Sequence, residues 1–273
     1  MIGYGNSMFL ATHGILARSA SGGAVDPDAQ AFITAAAITD PTQQSAINQL
    51  VVDLKGYSIW TKMKAIYPYV GGTSSSTSYN LKNPAQFQIS WIGGVTWSNN
   101  GVQFGGVNGY GITGYNVSAN NTTDNVSAGV YSRTNTTVAA ASFSALGGAF
   151  SGLELIIKFS DNNTYYGVNS DIGSGAGNFV SDTRGMFVIS KLATNQKVIY
   201  RNGTQISSNT YGGGNVSPNF IVHVGARNNQ GTIQLYDSRQ HAFQYIGETL
   251  TAAEVGNLYT AVQAFQTTLG RQV

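Results

Sequence analysis

The sequence predicts a mainly β protein: an antiparallel sandwich preceded by a small N-terminal helical module and closed by a C-terminal helix. Three observations carry this. Short alternating stretches such as "AQFQISWIGG", "LELIIKFS", "GMFVISKL" and "FIVHVGAR" recur between glycine, asparagine and serine turns, roughly one strand per ten residues, as a sandwich requires. No helical pattern separates them, which disfavours a parallel α/β sheet. Two amphipathic patterns, "DPTQQSAINQLVVDLKG" and "TAAEVGNLYTAVQAFQTTLG", stand outside the strand-rich region, one on each side.

Taken in order, residues 1–25 read as an attachment arm. They are punctuated by glycine, their apolar clusters at 8–10 and 15–16 are too brief to close a core, and no basic segment precedes them as in a signal peptide. Residues 26–72 read as the helical module. Asp26-Pro27 and Asp40-Pro41 each set an N-cap acceptor before a proline suited to the first helical position. Ile47, Leu50, Val51 and Leu54 then form one apolar stripe, and Gly56 supplies a stop. Trp60, Met63, Ile66 and Tyr67 continue in a short amphipathic pattern until Pro68 and Gly71-Gly72.

Residues 73–250 read as the sandwich, opened by the loop "GTSSSTSYN". Within it Asn202-Gly203 separates two strand-like runs, a hairpin signal because both positions of the turn need positive φ. Residues 251–273 read as a helix packed on the sandwich. Thr251 and Glu254 have capping-box spacing, and Val255, Leu258, Val262, Phe265 and Leu269 trace an apolar face up to Gly270.

Composition bounds the function. Only 10% of the 273 residues are charged, where roughly a quarter is usual, and glycine reaches 34. A surface polar through amides and hydroxyls suits sugars or neighbouring subunits. A net charge of +2 is not the clustered basic footprint that nucleic acid demands. The absence of cysteine excludes disulfides and thiolate metal sites, and no stretch approaches the ~20 apolar residues of a membrane span.

Several segments resemble a known fold family. "GLELIIKFSDN", "GMFVISKLATNQKVIYRNGTQI" and "FIVHVGARNNQGTIQLYDSRQHAFQYIGETLTAAEVGNLY" are similar to the closing half of a concanavalin A-like, laminin-G-like jelly roll. The likeness lies in a strand ending at Asn202-Gly203, a later strand delivering His223 to Ala226, and a last strand leading into a capped helix. It spans roughly residues 80–260 and identifies a fold better than an activity. The flanks, residues 26–73 and the tail "NLYTAVQAFQTTLGRQV", resemble segments of structural proteins in tailed bacteriophage particles. That resemblance implies a non-enzymatic virion protein on a tail fibre or as a capsid decoration, exposed at the particle surface. The N-terminal arm would then grip other virion proteins, a host surface polysaccharide would be the outward partner, and the chain would be a homo-oligomer.

Candidate site residues follow from chemistry. Sugar recognition needs an aromatic face against the pyranose and amides or charged groups for its hydroxyls. Trp97 with Asn99 and Asn100, Tyr165 and Tyr166 beside the 161–163 turn, and Arg227 with Asn228 and Asn229 meet that need, although each also fits a packed rim residue. The laminin-G-like resemblance implies a rim calcium ion, for which Asp161, Asn163 and Asp171 supply oxygens. The same residues suit a turn in which Asp and Asn bond their own backbone. Retaining glucanases of this fold need two carboxylates about 5 Å apart. Of the only three glutamates, Glu154 has no acidic partner two or four residues on, Glu248 sits at the strand exit, and Glu254 is committed to the helix cap. A polysaccharide depolymerase and a purely architectural role are the competing readings.

Overall fold

A computed structural model describes residues 24–147, 151–172, 180–210 and 217–273. Helices α1 (Pro27–Ala35) and α2 (Pro41–Gly56) lead through a 3-10 turn at Trp60–Lys62 into β1 (Met63–Tyr67) and a short α3 (Ser74–Ser78). Strands β2 (Ser90–Ile92), β3 (Val95–Ser98), β4 (Gly101–Phe104) and β5 (Tyr110–Asn116) precede a one-turn α4 (Val117–Asn120). Next come β6 (Ser127–Ser132), β7 (Phe143–Leu146), β8 (Ser151–Ile156), β9 (Tyr165–Asp171), β10 (Gly185–Ala193), β11 (Gln196–Arg201) and β12 (Thr204–Thr210). The chain closes with β13 (Ile221–Val224), β14 (Arg227–Asn229), β15 (Thr232–Gln234), β16 (Gln240–Gly247) and α5 (Ala252–Thr268).

The strands form two eight-stranded sheets, the sandwich expected of a concanavalin A-like jelly roll. The first runs β12-β11-β10-β6-β16-β4-β3, with β1 also paired to β16. The second runs β15-β14-β7-β13-β5-β2, with β8 joined to β7 and β9 to β8. Successive side chains on a strand point to opposite faces, and in the central strands of the first sheet both faces are buried. Val130, Phe187, Ile189, Ile199 and Ile246 enter the core between the sheets. Their neighbours Tyr131, Met186, Val188, Val198, Tyr200 and Tyr245 enter a second core with α1, α2 and α5. The molecule therefore has three layers, helices on sheet on sheet. Burial on both faces explains why "GMFVI" and "VIY" read as unbroken apolar runs.

The local signals hold. Asp26 and Asp40 cap α1 and α2 through Asp28 N (3.0 Å) and Gln43 N (2.8 Å). Thr251 and Glu254 exchange both bonds of the capping box. Asn202 and Gly203 sit at φ 49° and 78° between β11 and β12.

Four points differ from the sequence reading. Met63–Tyr67 is a strand, because its backbone pairs with β16, from Met63 opposite Gly247 to Tyr67 opposite Gln244. The helical segment expected over 26–72 thus ends inside the first sheet, and α1 and α2 share one apolar core with α5. Residues 74–78, expected as loop, form a helical turn capped by Thr73 and Ser76. Strand β7 is only four residues long, Phe143–Leu146, and was not read as a strand. After α2 the left-handed position is taken by Ser58 (φ 59°), not by Gly56. Of the arm expected over 1–25, residues 1–23 lie outside the described residues.

The tail after α5 is anchored by Arg271. Its fully buried guanidinium donates to Gln266 Oε1 (2.6 Å), Pro68 O (2.7 Å), Tyr69 O (2.8 Å), Ala242 O (2.9 Å) and Asn99 O (3.2 Å). Burial lowers its pKa to about 9. Among the described residues no helix is long and apolar enough to cross a membrane.

Candidate functional site

The outer face of the second sheet carries a polar row that its registers create. Phe143, Ala145, Leu153, Leu155, Tyr166, Val168, Val222 and Val224 point inward to the sandwich core, so the residues between them point outward. Across four strands His223 stands opposite Ser144, Ser144 opposite Glu154, and Glu154 opposite Gly167. One step along, Ile156 stands opposite Tyr165 on the same face.

Glu154 is fully buried, and both its oxygens are held by Arg227, with Nη2 to Oε1 at 2.6 Å and Nε to Oε2 at 2.8 Å. Beside this pair a cleft of about 260 Å³ is lined by Ile156, Phe159, Tyr165, Ile172 and Arg227. Tyr165 stands edge-on to Phe159, ring centroids 5.6 Å apart, and its hydroxyl donates to Asp161 Oδ2 at 2.6 Å. Gly167 makes room for the cleft wall: a Cβ there would lie 2.7 Å from Ile172 Cγ1. At the other end of the row Tyr110 stacks on His223 (5.2 Å, 25°), with Tyr236 6.1 Å from Tyr110. Burial lowers the His223 pKa to about 4, so the ring is neutral at pH 7. Ser144 Oγ and His223 Nδ1 are buried without a hydrogen-bond partner among the described residues. Buried polar atoms are ordinarily satisfied, so this row retains hydrogen-bonding capacity.

The sequence candidates separate into three groups. Tyr165 and Arg227 meet in the cleft, and Asn229 shares the strand face of Arg227. Tyr166 points the other way. It is 1% exposed in the sandwich core, with Asn209 Nδ2 donating to its hydroxyl at 2.9 Å, so it offers no face to a sugar. Asn228 is likewise buried and structural, donating to Ile221 O and accepting from Gly231 N, each at 2.8 Å. Trp97, Asn99 and Asn100 lie on the β3–β4 hairpin of the other sheet. The Trp97 ring packs against the inter-sheet core and stands edge-on to Trp91. Asn99 gives its carbonyl to Arg271 and its Oδ1 to Gln43 of α2. Asn100 is an exposed turn residue whose amide donates to Ser98 Oγ.

Calcium does not fit the donors on view. The Asp161 carboxylate accepts from Asn163 N (3.0 Å), Asn163 Nδ2 (3.1 Å) and Tyr165, a turn in which Asp161 and Asn163 bond each other instead of converging on an ion. The Tyr165 bond, followed by those from Asn163, holds the Asp161 pKa below its usual value. The Asp171 side chain lies outside the described residues. No group of three or more His, Asp or Glu among the described residues stands close enough to hold a metal.

Sequence reasoning missed Tyr110, Ser144, His223, Tyr236 and Phe159. In the sequence His223 stands only as the start of a strand segment, and β7, which carries Ser144, was not read as a strand. Only the registers align them.

No protein-family model and no curated protein matches the sequence. Solved structures do match the fold. One, of botulinum neurotoxin type C, whose cell entry depends on interaction with two ganglioside molecules, superposes with TM-score 0.53 at 14% identity, over 76% of this chain and 52% of that one. The binding domain of botulinum neurotoxin DC in complex with rat synaptotagmin II matches with TM-score 0.51 at 13% identity, over 75% and 52%. Trypanosoma rangeli sialidase matches with TM-score 0.50 at 10% identity, over 79% and 39%. The chain therefore spans about half the length of the toxin structures and less of the sialidase. At such identities the likeness establishes a β-sandwich fold and no more.

Proposed function

We propose that this chain is a non-enzymatic glycan-binding module whose site is the outer face of the second sheet around Tyr165 and Arg227. The observation that carries the reading is the convergence of Tyr165, Phe159 and Arg227 on one cleft beside a row with hydrogen-bonding capacity to spare. An aromatic wall suits the apolar face of a pyranose, and a fixed guanidinium suits its hydroxyls or a carboxylate. The ganglioside dependence of the matched type C toxin supports a saccharide partner for this fold. The non-enzymatic reading is supported at Glu154: both oxygens are engaged by Arg227, and its cross-strand neighbours are Ser144 and Gly167 instead of a second carboxylate.

The setting we propose is the surface of a tailed-phage particle, as a fibre or decoration protein that recognises a host polysaccharide. It rests on the resemblance of residues 26–73 and the C-terminal tail to segments of such particles. Attachment through residues 1–25 and assembly as a homo-oligomer belong to the same proposal.

The test is a glycan array and intact bacterial cells, probed with the wild-type chain, Tyr165→Ala and Trp97→Phe. Saturable binding lost in Tyr165→Ala and kept in Trp97→Phe is the expected result. A blank array with no cell binding would overturn the glycan reading in favour of an architectural role, and release of reducing sugar would overturn the non-enzymatic one.

A further inference from the structure

A second groove lies on different elements, where the 3-10 turn and β1 meet the 82–87 loop and α4. It encloses about 470 Å³, and the polar and aromatic groups lining it include Lys64, Lys82, Asn83, Gln86, Phe87 and Asn120. Three features distinguish it from an incidental surface dent.

The first is a positioned cation. Lys82 Nζ donates to Trp60 O at 3.0 Å and lies 4.3 Å from the centre of the Trp60 ring, so its side chain is held in place. Among the described residues it has no carboxylate partner, whereas the neighbouring Lys64 is paired with Glu248 at 2.6 Å. An ammonium with one bond made has two N–H donors left.

The second is a strained aromatic. Phe87 has φ 55°, a left-handed conformation that a bulky residue adopts only when its surroundings impose it. Here Tyr67 Oη donates to Phe87 O at 2.7 Å, and the ring stands edge-on to Tyr115 at 4.8 Å. Both contacts fix a half-buried phenyl ring in the groove wall. The third is a set of amides. The Gln86 side chain makes no hydrogen bond among the described residues, and Asn120 uses its Nδ2 on Asn116 O, leaving its Oδ1 to accept.

A point cation, an aromatic face and amides together match one ligand chemistry: a saccharide bearing a carboxylate. We infer that this groove is a second sugar site, selective for an acidic sugar residue, with the carboxylate on Lys82, the sugar face on Phe87 and hydroxyls on Gln86 and Asn120. The inference shares the ligand class of the glycan reading above but none of its residues.

The experiment is NMR titration of the full ¹⁵N-labelled chain with tetragalacturonate and with its methyl ester, which removes the charge and keeps the sugar. The expected result is that tetragalacturonate shifts amides at 61–64, 82–87 and 119–120 and the ester binds there at least tenfold more weakly. Lys82→Met should also weaken binding at least tenfold, while Tyr165→Ala leaves this groove unchanged. Equal binding of the ester, equal shifts from inorganic sulfate, shifts confined to the β8–β9 and β14 face, or no shifts would each overturn it. Shifts confined to that face would leave the first site standing, and loss of the first site alone would leave this one.

Discussion

Glu154 and Arg227, 73 residues apart, form a two-pronged ion pair at 2.6 and 2.8 Å, with the carboxylate fully buried and the guanidinium mostly so. The pair ties β8 to β14 and sets one side of the cleft. Arg227→Ala should strip a buried carboxylate of this partner and destabilise the fold by about 3–5 kcal/mol. The double variant Glu154→Leu/Arg227→Met should lose far less, because no charge is left stranded. Urea unfolding of the three proteins checks this, and both variants should lose glycan binding.

Tyr165 and Tyr166 are sequence neighbours on opposite faces of β9, so their alanine variants should part cleanly. Tyr166→Ala opens a cavity in the inter-sheet core and should cost about 3–5 kcal/mol. Tyr165→Ala, at a half-buried position outside that core, should cost only about 1 kcal/mol while abolishing saturable binding. Thermal unfolding beside binding isotherms separates the two.

His223 makes stability depend on pH. Its folded pKa of about 4 lies below the ordinary imidazole value of 6.5, so above pH 6.5 both folded and unfolded forms are neutral. As pH falls from 6.5 towards 4 the unfolded chain takes up a proton that the folded chain refuses. Stability should then fall by up to about 1.4 kcal/mol per pH unit. His223→Gln should flatten that slope in urea midpoints measured at pH 7, 6 and 5.

Arg271 joins the C-terminal tail to β16 and to the chain around Pro68, Tyr69 and Asn99. Arg271→Ala strips the buried Pro68 and Tyr69 carbonyls of this donor, each worth about 1–3 kcal/mol, and should destabilise the whole three-layer fold in denaturant titrations. Arg271→Lys should recover only part of the loss, since one ammonium cannot reproduce the planar fork.

Chelation should leave glycan binding unchanged. The Asp161 oxygens are engaged by Asn163 and Tyr165, and Asp161 and Asn163 bond each other. A calorimetric titration with calcium that gives saturable heat would contradict this, as would loss of array binding in EDTA.

How legible a feature was depended on the distance over which its cause acts. The Asp26 and Asp40 caps, the Thr251–Glu254 box and the Asn202-Gly203 turn are each completed within four residues, and each appears where its residues predict it. Met63–Tyr67 shows the opposite case. Its apolar spacing fits a helix as well as a buried strand, and only pairing with β16, about 180 residues later, decides between them. Tyr165 and Arg227 were legible as residue types, whereas their meeting in one cleft was not.

By itself the sequence determined the mainly β class, the helices on either side of the strands, their caps and the hairpin. These follow from side-chain periodicity and from hydrogen bonds closed within a turn. Only the tertiary structure decided that the central strands of the first sheet are buried on both faces, that Tyr166 turns inward while Tyr165 turns outward, and that His223, Ser144 and Glu154 stand in one row. Each of those depends on strand register, which is set between segments far apart in the chain and moves every side chain to the other face if it slips by one residue.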